Sequence, residues 1–336
     1  MPLFLTESDV KSILTMPLTL EAVENSFLRL ATGEAILHPR ARLHLPGKSF
    51  LHYMAAADST SGYMGLKIYT SAKAGLRFLI LLFSVESGEL LAQIEADYVG
   101  QMRTGAASGF ATRLLARADA KTIGIIGTGL QARTQLEAIT QVRQIESIKV
   151  FGRDQQRREK FAADMSAKLS VPVTAVATAE EAVRDQDIVV TSTTATNPVV
   201  EGRWLTAGSH LNAIGANFPQ KRELDAETIR RCDVIVADSR EQSKIESGDL
   251  IQMYADDHRR WTAVIDLADI ASGKIPGRTK DDQITLFKSN GIATEDIVVA
   301  GKIYELAKER GAGKNINMWE GSTGKNSARA ADARAL

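Results

Sequence analysis

Two hydrophobic patterns divide the chain near residue 120. Beyond it, short apolar runs rich in Ile and Val alternate with segments whose apolar positions recur every three or four residues. The runs predict strands at Thr122–Ile126, Ile148–Phe151, Val171–Ala175, Ile188–Thr191, His210–Ile214 and Val234–Ala237, with Ile284–Phe287 as a further candidate. Helices are predicted between most of them, around Leu130–Val142, Gln155–Leu169, Ala179–Arg184 and Ala226–Arg231, and a last long helix over Ala293 to Arg310. Alternation of this kind builds a doubly wound parallel sheet, so the chain is α/β. Before residue 96 the pattern is different. A strand and turn in Pro39–Gly47 precede strand-like stretches at Phe50–Met54, Gly65–Thr70, Phe78–Phe83 and Leu90–Ile94. The last two flank Glu86-Ser87-Gly88-Glu89, a hairpin signal, so this region reads as antiparallel β. Two helices lead into it. One covers Leu3 to about Leu14 with Thr6 as N-cap. The other is capped by Thr19, carries the stripe Leu20, Val23, Phe27 and Leu30, and ends at Gly33.

A helix from Asp97 to about Ala116 joins the two regions and is crowded with small residues: Gly100, Gly105, Ala106, Ala107, Ser108, Gly109 and Ala111. Each glycine costs a helix about 1 kcal/mol relative to alanine. A neighbouring backbone or a ligand approaching closely is the expected compensation. After Gly311 the apolar anchors run out, which predicts a loose or partner-dependent tail.

The first strand of the alternating region leads straight into Gly127-Thr128-Gly129-Leu130-Gln131-Ala132 and then a helix. Strand, glycine turn and helix in that order form a dinucleotide site. Gly127 permits the tight turn, Gly129 admits the pyrophosphate, and Ala132 lets the helix pack close to the strand. The helix N-terminus offers free N–H groups to the phosphates. The second strand ends at Gly152-Arg153-Asp154. An acid at a strand end accepts hydrogen bonds from ribose hydroxyls, whereas a guanidinium pairs with a 2′-phosphate. Gly152 followed by Arg153 favours NADP(H), and Asp154 keeps NAD(H) possible.

Composition narrows the remaining classes. The 336 residues suffice for two domains, and the formal net charge of zero favours neither nucleic acid nor an anionic membrane. Cys232 is the single cysteine, so an internal disulfide and a thiolate metal cluster are excluded. No basic segment followed by a long apolar one opens the chain, and a cytoplasmic protein is expected. His38, His44, His52, His210 and His258 show no metal-ligand spacing. The chemistry-bearing candidates are cations ahead of the glycine turn: Arg40 or Arg42, Lys67 on an apolar strand, and Arg103 on the small-residue helix. Singly, each reads as a surface or salt-bridged cation. Together, beside a nicotinamide site, they suit a carboxylate clamp.

Met54, Gly65-Leu66-Lys67, Arg103-Thr104, the glycine turn, Asn212-Ala213-Ile214-Gly215 with Arg222-Glu223-Leu224-Asp225, and Phe287-Lys288-Ser289 with Gly291 and Glu295-Asp296 occur in this order. The ordered set resembles the ornithine cyclodeaminase/μ-crystallin family over about residues 3 to 312. The resemblance implies a Rossmann-type NAD(P)-binding domain over 118–292. It also implies an α+β substrate-binding and dimerisation domain over 1–117, completed by the C-terminal helix (about 293–336), and a homodimer. It places Arg40 (or Arg42), Lys67 and Arg103 around a substrate carboxylate, with His52 and Met54 in the same pocket. Thr104, Gly127, Thr128, Gly129, Leu130, Gln131, Arg153, Thr193, Ile214, Gly215, Ser289 and Gly291 then fall to the cofactor.

One departure from the family pattern directs the choice of reaction. The cyclodeaminases carry an aspartate two residues after the glycine of the Asn-Ala-x-Gly segment. Here Gly215-Ala216-Asn217 puts an amide there, which is no base at neutral pH. An acid two residues before the methionine is replaced by His52. The resemblance then implies the family's other branch, an NAD(P)H-dependent reductase of 2-imino acids, reversible as an L-amino-acid dehydrogenase, with Asn217 orienting the substrate. The alternatives are an ornithine or lysine cyclodeaminase with bound NAD, and a non-catalytic NADP(H)-binding protein. His52, His44 and the second arginine offer a distal cation that would suit a dicarboxylate such as iminosuccinate.

Overall fold

A computed structural model describes residues 1–45, 49–72 and 75–318. The chain opens with β1 (Leu3–Leu5), α1 (Glu7–Ile13) and α2 (Met16–Thr32), followed by β2 (Ala35–His44), β3 (Phe50–Asp58), β4 (Tyr63–Ala72), β5 (Gly75–Ser84) and β6 (Leu90–Glu95). After α3 (Asp97–Leu115) come β7 (Thr122–Ile126), α4 (Leu130–Val142), β8 (Ser147–Phe151), α5 (Gln155–Leu169), β9 (Val173–Ala175), α6 (Ala179–Val183), β10 (Ile188–Thr191) and β11 (His210–Ala213). Then follow α7 (Ala226–Arg231), β12 (Val234–Ala237), α8 (Arg240–Glu246), α9 (Gly248–Tyr254), α10 (His258–Ala263), β13 (Ile265–Asp266), α11 (Leu267–Ala271), β14 (Thr285–Lys288), α12 (Ala293–Arg310) and β15 (Lys314–Asn315).

The strands form two sheets. One runs β15-β1-β6-β5-β4-β3-β2 and is antiparallel except where β1 lies parallel to β6. The other runs β13-β12-β14-β11-β10-β7-β8-β9 and is parallel throughout. The order in which successive strands are added reverses between β7 and β10, the switch point at which doubly wound sheets bind ligands. The inner face of the first sheet, with Met54, Ile80, Leu82 and Ile94, packs on α2, α3 and α12 in one core.

The glycines of α3 have their explanation in a neighbouring backbone. A Cβ on Gly105 would stand 2.4 Å from the carbonyl oxygen of Thr134 on α4, and one on Gly109 would stand 3.0 Å from Ala138. α3 therefore lies directly on α4 and ties the first sheet to the second.

Several elements differ from expectation. Leu3–Leu5 is a strand rather than the first turn of a helix, because it pairs with both β6 and Lys314–Asn315. Thr6 does cap α1, in a reciprocal capping box with Asp9. Thr19 is not a cap. α2 begins at Met16 with Pro17 in its first turn, and the Thr19 hydroxyl donates to Thr15 O. The start of the tail is ordered by its pairing with β1, and residues 319–336 lie outside the described residues, as does the turn expected at Pro46-Gly47. α8 to α11, between β12 and β14, are elements for which the apolar pattern gave no expectation.

Candidate active site

Gly127 follows β7 with φ +124°, a conformation that residues with side chains rarely adopt, and a Cβ there would meet Ser192 O at 2.3 Å. Gly129 is the N-cap of α4 and has open space where a side chain would stand, so the α4 N–H groups face a clear approach. The cleft beside them has a volume of about 530 Å³ and is bounded by Thr128, Gly152, Arg153, Arg157 and the Ser192–Val199 segment, including Thr193. A dinucleotide fits this cradle. The glycine turn and helix terminus would hold its phosphates, the end of β8 its adenosine half, and the ends of β10, β11 and β14 its nicotinamide half. Asp154 also lines the cleft and is the N-cap of α5, its Oδ1 accepting from Arg157 N at 2.9 Å. Arg153 and Arg157 stand exposed on the cleft wall.

Beyond the C-terminal edge of the parallel sheet lies a buried chain of ion pairs. Lys67 on β4 donates to both oxygens of Asp296 at 2.8 and 3.0 Å. Arg103 on α3 donates through Nε to Asp296 at 3.1 Å and through Nη1 to Glu295 at 2.8 Å. All four residues are buried. Burial, reinforced by Arg103, pulls the Lys67 ammonium down to about 8 against the opposing pull of Asp296. Burial also drives the Glu295 carboxyl up to about 8, with Asp238 and Asp296 adding to the rise and Arg103 opposing it. Lys67 is thus an acid poised near neutral pH. The chain adjoins the cofactor cradle: Gln131, in the first turn of α4, reaches Gly100 O on α3 at 3.5 Å, one turn from Arg103.

Arg40 and Arg42 share one carboxylate, Glu246 at the end of α8. Arg40 Nη1 donates to it at 2.5 Å, and Arg42 pairs with its other oxygen. Arg40 also donates to Asn290 O and Gly291 O, at 2.9 and 3.2 Å. Its Nη2 lies 3.7 Å from the Met54 sulfur, which is otherwise a core atom. Arg42 donates to Asn217 O at 3.0 Å and lies 4.4 Å from the Phe218 ring centroid. Inward-facing aromatics stack along the same sheet face. His52 lies 4.3 Å from Tyr69, and Tyr69 lies 4.6 Å from Phe78.

His52 is not the distal cation expected of it. Burial, together with Arg42 and Arg40, depresses its pKa to about 4, so the ring is neutral at pH 7. Both of its nitrogens are buried and have no partner among the described residues.

The sequence candidates thus fall into groups. Arg40, Arg42, His52, Met54, Lys67, Arg103 and the backbone of Asn217 converge at one end of the first sheet. Gly127, Thr128, Gly129, Arg153 and Thr193 line the cleft, with Leu130 exposed at the start of α4. Ile214 and Gly215 follow β11 at the same edge. Three cofactor candidates are engaged elsewhere. The Thr104 hydroxyl donates to Gly100 O at 2.7 Å, and Ser289 donates to Asp238 at 3.1 Å. Gly291 lies against the Arg103 guanidinium, with its N–H on Asp238 at 2.6 Å.

Sequence reasoning missed Glu246 and Asp238. A signal for Glu246 was present: Ser239-Arg240-Glu241-Gln242 is a helix-start pattern, and Ser239 Oγ accepts from Gln242 N at 3.2 Å.

The chain is similar over most of its length to proteins of known activity and structure. A Delta(1)-pyrroline-2-carboxylate reductase of Bacillus cereus is 38% identical over 261 residues, spanning 75% of this chain and 80% of that protein. The structure of Thermococcus litoralis Delta(1)-pyrroline-2-carboxylate reductase in complex with NADH and L-proline superposes with a TM-score of 0.89 at 38% identity, covering 94% of this chain and 100% of that one. An archaeal alanine dehydrogenase dimer with bound NAD superposes with a TM-score of 0.89 at 33% identity, covering 95% and 99%. The profile of the ornithine cyclodeaminase/mu-crystallin family matches residues 1–311, and the chain belongs to that family.

Proposed function

We propose that this NAD(P)-dependent oxidoreductase reduces the C=N bond of 2-imino acids to L-amino acids and runs in reverse as an amino-acid dehydrogenase. The observation that carries this reading is the buried chain Lys67–Asp296–Arg103–Glu295 beside the start of α4. The bound dinucleotide supplies a hydride to C2 of the substrate. The protein's own groups do the rest. Arg103, with Arg40 or Arg42, fixes the substrate carboxylate by paired N–H bonds. Lys67, with an ammonium near pH 8, stands by the imine nitrogen and supplies its proton. Asn217 holds the substrate from the loop after β11. It offers no carboxylate for ring closure, which speaks against the cyclodeaminase reading.

Two of the relatives are pyrroline-2-carboxylate reductases, one of them with proline bound. The stacked His52–Tyr69–Phe78 wall provides apolar surface that suits the ring carbons of such a cyclic ketimine. NADP(H) is the favoured cofactor, because two cations, Arg153 and Arg157, stand on the cleft wall where they can meet a 2′-phosphate, against one carboxylate there, Asp154, which already accepts a helix-cap bond from Arg157 N. A homodimer is supported by the outer face of the first sheet. Ile36, Leu43, Leu51 and Tyr53 are exposed there, on the side opposite His52 and Met54.

The test is oxidation of NADPH and NADH against Δ1-pyrroline-2-carboxylate, Δ1-piperideine-2-carboxylate, and pyruvate or oxaloacetate with ammonium. Turnover of one imine, lost in Lys67→Ala and Arg103→Ala with cofactor binding intact, is expected. Ammonia release from ornithine or lysine without imine reduction would overturn the reading.

A further inference from the structure

Beneath the cleft floor lies a second buried charge cluster that the proposed reaction does not use. Glu223, between β11 and α7, is fully buried and accepts four hydrogen bonds. Its Oε1 accepts from Thr193 N at 2.7 Å and from Thr193 Oγ1 at 2.8 Å. Its Oε2 accepts from Thr191 Oγ1 at 2.8 Å and from Gly215 N at 2.7 Å. Thr191 ends β10, and Gly215 lies just past the end of the adjacent β11. One carboxylate therefore clasps the C-terminal ends of two neighbouring parallel strands. The clasp leaves no slack: a Cβ on Gly215 would stand 2.3 Å from Thr193 O and 2.5 Å from Glu223 Oε1.

The charges around Glu223 do not cancel. Asp249 fixes the Glu223 backbone, accepting from Glu223 N at 2.7 Å and Leu224 N at 3.0 Å. Lys288, at the end of β14, lies 3.1 Å from Asp249 and donates to Ala213 O at 3.3 Å. Both are fully buried. The Lys288–Asp249 pair is neutral as a unit, which leaves Glu223 without a cation of its own among the described residues. Burial and Asp249 push its carboxyl upward, against Lys288 and the threonine donors. Two of its four donors are backbone N–H groups, one to each oxygen, an arrangement made for the ionised form.

We infer that Glu223 is a positioning residue that sets Thr193 and Gly215 under the nicotinamide half of the cofactor, and that its carboxylate favours the oxidised, cationic ring over the reduced, neutral one. Thr193 lines the cleft, and the doubly wound topology sends the nicotinamide half toward β10 and β11, away from Arg153 just past β8. A fixed carboxylate in a dry floor stabilises positive charge on that ring, which is the state left when a hydride has gone to the imine carbon. The inference rests on the dinucleotide reading above.

The test measures dissociation constants of the oxidised and reduced dinucleotide, and of the adenosine-side fragment (2′-phospho-ADP-ribose), for the full chain by fluorescence titration. Glu223→Gln is expected to lower the preference for the oxidised form about tenfold, or ~1.4 kcal/mol, with fragment binding within twofold of the parent. An unchanged preference, or equal weakening of both forms, would overturn the inference. Should Glu223→Gln lose fragment binding through misfolding, Glu223→Asp decides. It keeps the charge but withdraws it from Thr193. The oxidised preference should then persist while both dinucleotides weaken at least fivefold relative to the fragment, and parental affinities would overturn the positioning role. A parent protein that binds neither dinucleotide, fragment included, would instead sink the dinucleotide reading itself.

Discussion

Replacing Asp296 with asparagine tests the chemistry of the ion-pair chain most directly. Asp296 is fully buried and takes three donor contacts, two from Lys67 and one from Arg103. Asp296→Asn removes the charge with little change of shape. Breaking a buried pair from one side costs about 3–5 kcal/mol, which for a unit of roughly 150–250 residues lowers Tm by on the order of 10 °C. The effect on Lys67 is more diagnostic. Its ammonium already stands at about 8, with Asp296 resisting the downward pull of burial and Arg103. Loss of an opposite charge at this range lowers such a group by roughly one to three pH units. With a loss of about two, the protonated fraction at pH 7.5 falls about 25-fold, and at pH 6 only about twofold. Because the reductive direction needs the ammonium, activity is retained below the pKa and lost above it. The assay is kcat/KM for imine reduction from pH 5.5 to 9, with thermal melts on the same samples. The variant's deficit should shrink as pH falls toward 6. A deficit of equal size at pH 6 and 7.5, or parental activity at pH 7.5, would refute Lys67 as the proton source.

Other consequences are checked more simply. Arg153→Ala should lower kcat/KM for NADPH about tenfold while leaving NADH within twofold, since only the 2′-phosphate loses its charged partner. Gly105→Ala places a Cβ 2.4 Å from Thr134 O. The backbones of α3 and α4 must then separate, and a loss of about 1–3 kcal/mol in denaturant unfolding is expected. Leu51→Asp puts a charge on the exposed apolar face of the first sheet and should convert a dimer to a monomer in sedimentation, with the secondary structure seen by circular dichroism unchanged.

The fold was legible where pattern and topology are local. Ile123, Ile125 and Ile126 mark a strand buried on both faces, and Gly127 and Gly129 mark the turn after it, because each requirement acts within a few residues. The small residues of α3 were visible too, and only their cause had to come from the structure: the contact with Thr134 is between elements about thirty residues apart. Leu3–Leu5 was misread for the opposite reason. Three residues carry no period, and what makes them a strand is β6, some ninety residues later.

The site was legible as cations and opaque as pairs. Lys67 could be picked out because a cation on an apolar strand is conspicuous in a sequence, whereas Arg40 (or Arg42) and Arg103 stood out only jointly and through the family resemblance. Their carboxylates could not be matched to them. Glu246 is 206 residues from Arg40, Asp296 is 229 from Lys67, and Glu295 is 192 from Arg103. The cations come from β2, β4 and α3, and the acids from α8 and α12, so the assembled site exists only once the early and late parts of the chain have packed together. The same holds for His52. Its sequence neighbours say nothing of charge, and it is neutral because Arg42, Arg40 and the surrounding protein make a proton there costly. Side-chain identity was therefore readable at the level of residue type. Protonation state, which decides whether Lys67 can give up a proton and whether His52 can hold one, depends on burial and on partners that only the folded chain brings together.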